Sequence, residues 1–419
     1  MNRKHLVFLA AYLLIHSFLF AENDNPALKL DLPLIDLPYQ VAAMNTVDYG
    51  FFSSYANPSM AQSLAVTQNI YSSFHYGMKY FYDNSGLGKW SKRFIFYGGI
   101  SLGHFLFTWM PGASTWLHEE YHRAVLTRFG ANSFNPTNRF PIGAVVMAVE
   151  VGIDDMIRIQ EESASDYVRL YEAGIEGQYV LVDRMQRDNF FHDQQLPHEI
   201  GYLFNTVNSH MYVQLKQGDF LFWVSGLFRP DVSHEENDEF TADDLTDDEL
   251  KYLSLHGYLQ ILNYLSPMMF GIRTLPLGNT GYEMNFAMRH YLTSFGADIA
   301  ATVFLKMSPF NMVFALHNYV NHNNYFPAIE AELVDYQIYL GKLGLYLSPR
   351  ILIGMQPKNQ EFKTDSPEFL GLFGLRVDFM VSKHFLPYLD FSAKTDGWVA
   401  GNAYLNANAS IKLGVSMRF

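Results

Sequence analysis

The chain ends in the stretch NAYLNANASIKLGVSMRF, residues 402–419, in which apolar and polar side chains alternate from Ala403 to Phe419. A period of two places the two sets on opposite faces of a β-strand. A long strand with one apolar and one polar face is typical of a barrel that crosses a membrane, with lipid outside and a polar lumen inside. The tail therefore predicts a membrane strand.

The same alternation recurs upstream of the tail at residues 294–303, 343–354, 373–382 and 385–394, and less regular runs near 281–290, 309–319 and 328–340 bring the total to about eight strands. Eight strands are the smallest even number that closes a membrane barrel. We therefore expect an α+β fold, with a largely helical region followed by an antiparallel transmembrane β-barrel of about eight strands over residues 279–419. The alternative is a soluble β-sandwich, whose strands also alternate but are usually shorter.

The connections between these strands give a second indication. Short links fall near residues 306–309, 341 and 383, and longer ones at 321–327, 357–370 and 395–401. Outer-membrane barrels alternate short periplasmic turns with longer external loops. Only the short first hairpin near Tyr291 departs from this order. With the C-terminus at the periplasmic face, the short turns are expected there as well.

The N-terminal residues resemble a targeting segment. Arg3 and Lys4 precede an apolar run over residues 6–20, and Ala21 stands before a polar stretch. This pattern is typical of a secretory signal peptide, and the run is short for a membrane-spanning helix. We assign residues 1–21 to a signal peptide, with an uncleaved N-terminal anchor as the alternative.

Composition limits the possible functions. The 419 residues are long for one core, so two domains are expected. Cysteine is absent, which excludes disulfides and thiolate chemistry. A net charge of −13 argues against nucleic acid as a partner. Aromatic residues make up 16% of the chain, which agrees with the aromatic girdles of a membrane barrel.

Residues 22–278 have a more helical periodicity, with apolar stretches at 93–110, 201–228 and 250–270. Half of the residues between 231 and 249 are acidic, which predicts a solvated loop. Calcium binding is the alternative for this segment, although no EF-hand spacing occurs in it.

The segment His118-Glu119-Glu120-Tyr121-His122 matches H-E-x-x-H. On a helix, residues i and i+4 share a face, so both histidines can reach one metal ion while Glu119 takes a proton from metal-bound water. Ser114 or Thr115 can cap the start of this helix, and Gly130 its end. The alternative is a pair of surface histidines, but apolar residues surround most of the helix and argue against full exposure.

The motif resembles that of the zincin metallopeptidases, and the resemblance covers the motif helix and one further helix. In the zincins that use a glutamate as third ligand, this residue lies downstream, which implies Glu172 here. Glu176 would then orient a histidine from outside the ligand set. Gly174 and Gly177 permit close helix packing within the helix expected from Ser163 to Arg187. The alternative is that both glutamates are solvated.

Other metal ligands are less well supported. Metal could also be bound by Glu150, Asp154, Asp155 or His192, but their spacing in the sequence favours none of them as a ligand. His104 lies in an apolar stretch, and we expect it to satisfy a hydrogen bond in the core rather than to bind metal.

The terminal Phe419 resembles the C-terminal signature that the barrel-assembly machinery reads in bacterial outer-membrane proteins. Together the resemblances imply a zinc (Zn2+) metallopeptidase anchored in the outer-membrane bilayer, with its helical region facing the periplasm and envelope proteins as substrates. The alternatives are a structural or adhesive barrel without activity, and a zinc hydrolase of lipid or cell-wall material.

Overall fold

The computed structural model describes residues 28–46, 56–108, 110–135, 149–192, 198–215, 256, 258–307, 310–341 and 343–419. The predicted signal peptide and the acidic segment 231–249 lie outside these ranges. Within them the chain forms seven α-helices: α1 Tyr39–Thr46, α2 Met60–Asn84, α3 Lys89–Phe107, α4 Ser114–Arg128, α5 Ile153–Glu162, α6 Ala164–Phe191 and α7 His198–Leu215. No helix among the described residues is long and apolar enough to cross a membrane.

The described strands are β1 Lys29–Leu37, β2 Ser133–Phe134, β3 Glu150–Val151, β4 Leu275–Pro276, β5 Glu283–Thr293, β6 Gly296–Met307, β7 Phe310–Asn321, β8 Asn324–Val334, β9 Tyr336–Leu340, β10 Leu343–Pro357, β11 Pro367–Met380, β12 Phe385–Lys394 and β13 Asn408–Arg418. Apart from β2 and β3, which pair with each other, they form one 11-stranded sheet whose pairs are antiparallel. The expected α+β fold, with a large antiparallel sheet in the C-terminal part, is confirmed.

The order across this sheet is β1, β13, β12, β11, β10, β8, β7, β6, β5, β4, and β9 also pairs with β10. β8 and β9 are two parts of one arm, interrupted at Asp335, whose φ is +51°. The region after residue 279 thus supplies eight arms. The sequence did not predict β1, which comes from the region expected to be helical and pairs with β13. The described ladder ends at β1 on one side and at β4 on the other.

The predicted alternation determines which side chains face outward. Ile351 on β10 lies opposite Phe373 on β11, and Leu413 on β13 lies opposite Leu389 on β12. All four are exposed, whereas polar residues on the same strands turn inward. Outward apolar side chains include Phe286, Phe314, Leu316, Ile329, Ile351, Ile353, Phe369, Phe373, Leu389, Ile411 and Leu413. The outer face of the sheet is therefore apolar.

Helix α6 lies along the inner face of the sheet from one end to the other. Near its start, Ser165 donates a hydrogen bond to the carbonyl oxygen of Gln360, which follows β10. Just after its end, His192 lies 3.5 Å from Asp335, between β8 and β9. About one turn before that end, Arg187 pairs with Glu332 at 2.6 Å. Buried apolar residues of helices and strands also form common clusters. Most of the large sheet follows residue 279, but β1 and β4 precede it, and the helices and strands share a core.

Two loop predictions were wrong. The longer loop expected at 321–327 is a two-residue turn at 322–323, where His322 has a φ of +56°. The strand expected from Ala403 begins only at Asn408. The residues before it turn back into the protein because Trp398 is buried and Lys394 donates to the carbonyl oxygens of Gly397, Leu405 and Asn406 at 2.7–3.2 Å.

Candidate metal centre

The motif forms a helix as predicted, but the expected cap at Ser114 or Thr115 is wrong, because Ala113 is the N-cap and both residues lie inside α4. It begins after Ala113 and ends at Arg128, and Gly130 follows with a φ of +69°, the left-handed conformation expected of a C-terminal cap. Its histidines are buried: the exposed fraction is 4% for His118 and 8% for His122, and Glu119 is 2% exposed. The alternative of two surface histidines is therefore wrong.

The two imidazoles converge on one position of α6. A β-carbon on Gly174 would lie 2.5 Å from Nε2 of His118 and still closer to Nε2 of His122. Both nitrogens therefore face the same small space, which any side chain at residue 174 would fill. Two imidazole ligands of one zinc ion need such convergence, since each Zn–N bond is about 2.0–2.1 Å long. The absence of a side chain at Gly174 creates this space.

The orientation of His122 is set by the backbone of α6. Its Nδ1 lies 2.6 Å from the carbonyl oxygen of Leu170. A carbonyl only accepts hydrogen bonds, so Nδ1 carries the proton and Nε2, on the side of Gly174, is the unprotonated nitrogen of the neutral ring. The ring centroids of His118 and His122 are 4.8 Å apart and their planes cross at 78°. This tautomer is the one that metal-binding histidines usually adopt.

A second glycine of α6 brings the motif helix close. A β-carbon on Gly177 would lie 2.9 Å from the ring of Tyr121, which occupies the motif position before His122. Gly174 and Gly177 lie three residues apart, so they share a face of α6. The close packing expected from these glycines is confirmed, and it holds the imidazoles against α6.

Glu120, the second acidic residue of the motif, has a structural partner. Arg123 contacts both of its carboxylate oxygens, at 2.8 and 2.7 Å, and Asn135 donates to it at 2.9 Å. The ion pair is buried. Breaking such a pair leaves an uncompensated charge in the protein interior, so we assign Glu120 to stability.

The structure places Glu172 and Glu176 around Arg169. The guanidinium of Arg169 contacts Glu172, and it lies 2.6 Å from Glu176. The indole N–H of Trp398 also donates to Glu172 at 2.9 Å, and the backbone N–H of Gly401 donates to Glu176 at 2.5 Å. All three charged side chains are buried, so the alternative of solvated glutamates is wrong. They attach α6 to the loop before β13.

This arrangement does not bring Glu172 to the histidines. Each helical residue is rotated by about 100° from the last, so Glu172 and Glu176 project roughly 160° away from Gly174. Burial raises the pKa of Glu172 well above the ordinary carboxyl value, although Arg169 opposes the shift. Among the described residues, no three His, Cys, Asp or Glu side chains are grouped so as to hold one metal ion. The role of Glu172 as third ligand stays a prediction.

The weaker candidates lie elsewhere. Asp155 pairs with Arg158 at 2.8 Å on α5, and His192 lies at the far end of α6. Nε2 of His104 lies 2.7 Å from Nε2 of His75, which confirms the expected core hydrogen bond. Burial lowers the pKa of His104 to about 4, so this ring is neutral at pH 7.

Sequence reasoning missed the contribution of the α6 backbone, namely the space at Gly174 and the carbonyl of Leu170. It also missed the partner of both glutamates, although Arg169 stands one helical turn before Glu172. The motif predicted which residues could bind metal, but not the surface that they face.

Comparison of the chain with protein-family models, with curated proteins and with solved structures gives no match. Any inference about function therefore depends on the geometry.

Proposed function

We propose that this protein is a zinc-dependent hydrolase of peptide bonds, held in the bacterial outer membrane by its sheet. The observation that carries the proposal is the convergence of two imidazole Nε2 atoms on the space at Gly174. Glu119, next to His118 on the same buried helix, supplies the carboxylate that H-E-x-x-H chemistry needs.

The residues fit a metal ion on the side of the two histidines. His118 and His122 would bind it through Nε2, and the carbonyl of Leu170 keeps the His122 ring in the required tautomer. A zinc ion bound there would supply a Lewis acid for a substrate carbonyl and would lower the pKa of its bound water. Glu119 would accept the proton of that water. Burial of these side chains excludes competing solvent and strengthens their electrostatic interactions.

The apolar outer face of the sheet supports the membrane placement. Exposed apolar patches larger than a few hundred Å² are rare on soluble monomers, and the outward set here extends from β5 to β13. The inner face carries ion pairs such as Arg350–Glu330 at 2.9 Å and Arg376–Asp31 at 2.8 Å. Lipid outside and polar groups inside are the pattern of a membrane barrel. Because α6 packs along this inner face, we take the metal centre to lie inside the sheet.

The test compares Glu119→Gln with wild type in purified full-length protein reconstituted with zinc. Loss of a general base is expected to lower the rate of hydrolysis by about 10²–10⁴-fold, while zinc content and fold stay unchanged. Glu161→Gln, an exposed change on α5, is the matched control and is expected to keep full activity. Casein, phospholipid and peptidoglycan are supplied in parallel.

Hydrolysis of casein that Glu119→Gln abolishes supports the proposal. Zinc-dependent turnover of phospholipid or peptidoglycan alone would refute the peptide substrate while keeping the metal chemistry. A wild-type protein that does not retain zinc at stoichiometric level would refute the enzyme altogether.

A further inference from the structure

A cavity of about 380 Å³ lies between α2, α3, α7 and the segment before β4. We call it the α2–α3 cavity. Its wall includes three basic side chains, Lys79, Arg93 and Arg273, and two acidic ones, Asp83 and Glu199. It is separate from the candidate metal centre, since none of the motif residues lines it.

The acidic groups of the cavity have partners within its wall. Nζ of Lys79 lies 2.5 Å from the carboxylate of Asp83. Glu199 is hydrogen-bonded to the hydroxyl of Tyr97, and burial raises the pKa of Glu199, which favours its neutral form. Arg93 and Arg273 line the same wall, which holds three basic and two acidic side chains in all and so has an excess of positive charge.

The surface beside the cavity is apolar. On α3, Trp90 is 80% exposed and Phe94 is 82% exposed, and both lie within one turn of Arg93. Phe270, next to the cavity-lining Gly271, is also exposed. Cations beside exposed aromatic side chains are typical of sites where a lipid headgroup binds and its acyl chains lie along the protein.

The position of the cavity agrees with a headgroup. Tyr76 of α2 packs against the cluster that contains Leu28 and Phe419, at the C-terminal end of β13. Lys79 and Asp83 lie one to two turns further along α2, so the cavity is at or beyond this end of the sheet. Where the sheet spans a bilayer, this end meets the headgroups of one leaflet.

We propose that the α2–α3 cavity binds the phosphate of an anionic phospholipid through Arg93 and Arg273, with the acyl chains along the apolar face of α3. This inference rests on the membrane placement proposed above, but not on the metal chemistry. It gives the helices a contact with lipid that is separate from that of the strands.

The test is native mass spectrometry of the delipidated full-length protein in a neutral maltoside detergent. The probes are phosphatidylglycerol, phosphatidylcholine with the same acyl chains, and inorganic phosphate. We expect preferential binding of phosphatidylglycerol, and a loss of about fivefold in its affinity for each of Arg93→Gln and Arg273→Gln, the effect of one basic residue near a lipid surface. Lys89→Gln, which removes the same charge from an exposed position of α3, is the matched control and is expected to bind as wild type.

Equal binding of both lipids, or unchanged binding by the two arginine variants, would overturn the proposal. Competition by inorganic phosphate at equal concentration would identify a free-phosphate site and reject the lipid. Zinc content is measured in the same samples. A protein that selects phosphatidylglycerol but holds no zinc would refute the enzyme alone. A protein that holds zinc but does not distinguish the two lipids would refute only the lipid site.

Discussion

Asn69 on α2 pairs with both backbone groups of Asp31 on β1. Its side-chain oxygen accepts from the Asp31 N–H at 3.0 Å, and its amide donates to the Asp31 carbonyl at 2.7 Å. The other side of the sheet repeats this arrangement, because Asn263 accepts from the His290 N–H at 2.9 Å and donates to the His290 carbonyl at 3.0 Å. Two asparagines thus take the place of a neighbouring strand, one beside β1 and one beside the part of β5 that lies beyond its pairing with β4.

Replacement of either asparagine by alanine is expected to destabilise the protein. Each change leaves a partly or fully buried backbone N–H and carbonyl without their partner, which costs about 1–3 kcal/mol in the free energy of unfolding. Urea titration of the detergent-solubilised protein measures this value. Asn84→Ala, at the exposed end of α2, is the control and is expected to stay within about 0.5 kcal/mol of wild type. If both asparagine variants and the control unfold with the same free energy as wild type, these contacts contribute nothing to stability.

Gly174→Ala is expected to weaken zinc binding. The added methyl group would enter the space that both Nε2 atoms face, so at least one imidazole must turn away. Displacement of one ligand is expected to weaken metal affinity by roughly tenfold or more. Zinc titration with a competing chelator measures this affinity.

Gly98→Ala is the control for this change, because a β-carbon at that helical position of α3 would meet no atom within 4 Å. Circular dichroism verifies that both variants fold. A folded Gly174→Ala protein with the zinc affinity of wild type would exclude the proposed geometry.

Glu172→Gln distinguishes the ligand predicted from sequence from the buried anchor seen in the structure. A glutamine oxygen can still accept from the Trp398 indole, and Glu176 remains to pair with Arg169. We therefore expect zinc content to be unchanged in this variant and to be lost in His122→Gln. Elemental analysis of both proteins measures the result. If Glu172→Gln folds but loses its zinc, the carboxylate is the third ligand after all.

Leu413→Arg tests the membrane placement. Leu413 is 43% exposed near the middle of β13, where arginine on a lipid-facing strand costs about 2–4 kcal/mol. On a water-exposed surface the same change would stay within about 0.5 kcal/mol. Leu340→Arg, at the end of β9, is the matched control because the cost falls to about 0–1 kcal/mol near the membrane interface. Urea unfolding in lipid vesicles compares the two, and equal stability of Leu413→Arg and wild type would contradict a lipid-facing sheet.

Much of the sheet could be predicted from the sequence because a period of two is visible within each strand. β1 was missed because its partner lies almost 400 residues later, and no local pattern reports a pairing at that distance. The alternation also continues through residues 403–407, where Trp398 and Lys394 turn the chain inward. Tertiary contacts override the local pattern at that point.

The local part of the candidate site could also be predicted from the sequence, but its contact with a second helix could not. The spacing of His118 and His122 is local, so the sequence could place both rings on one face of α4. Which face of α6 they meet depends on the rotation of a second helix, and this brings Gly174 rather than Glu172 toward them. A carboxylate at a plausible distance along the chain is not necessarily one that points in the required direction.

The pairing of β1 with β13 has a consequence for how the molecule assembles. Lys29 lies opposite Arg418, so the first and the last of the described strands are paired with each other. Bringing such distant segments together costs chain entropy, and this cost is offset only when the two strands have paired. All seven described helices lie between these two strands in the chain, and α1, α2 and α6 pack against strands of the sheet. The ladder between β1 and β13 can therefore form only after the helices that lie between these strands in the chain have been synthesised.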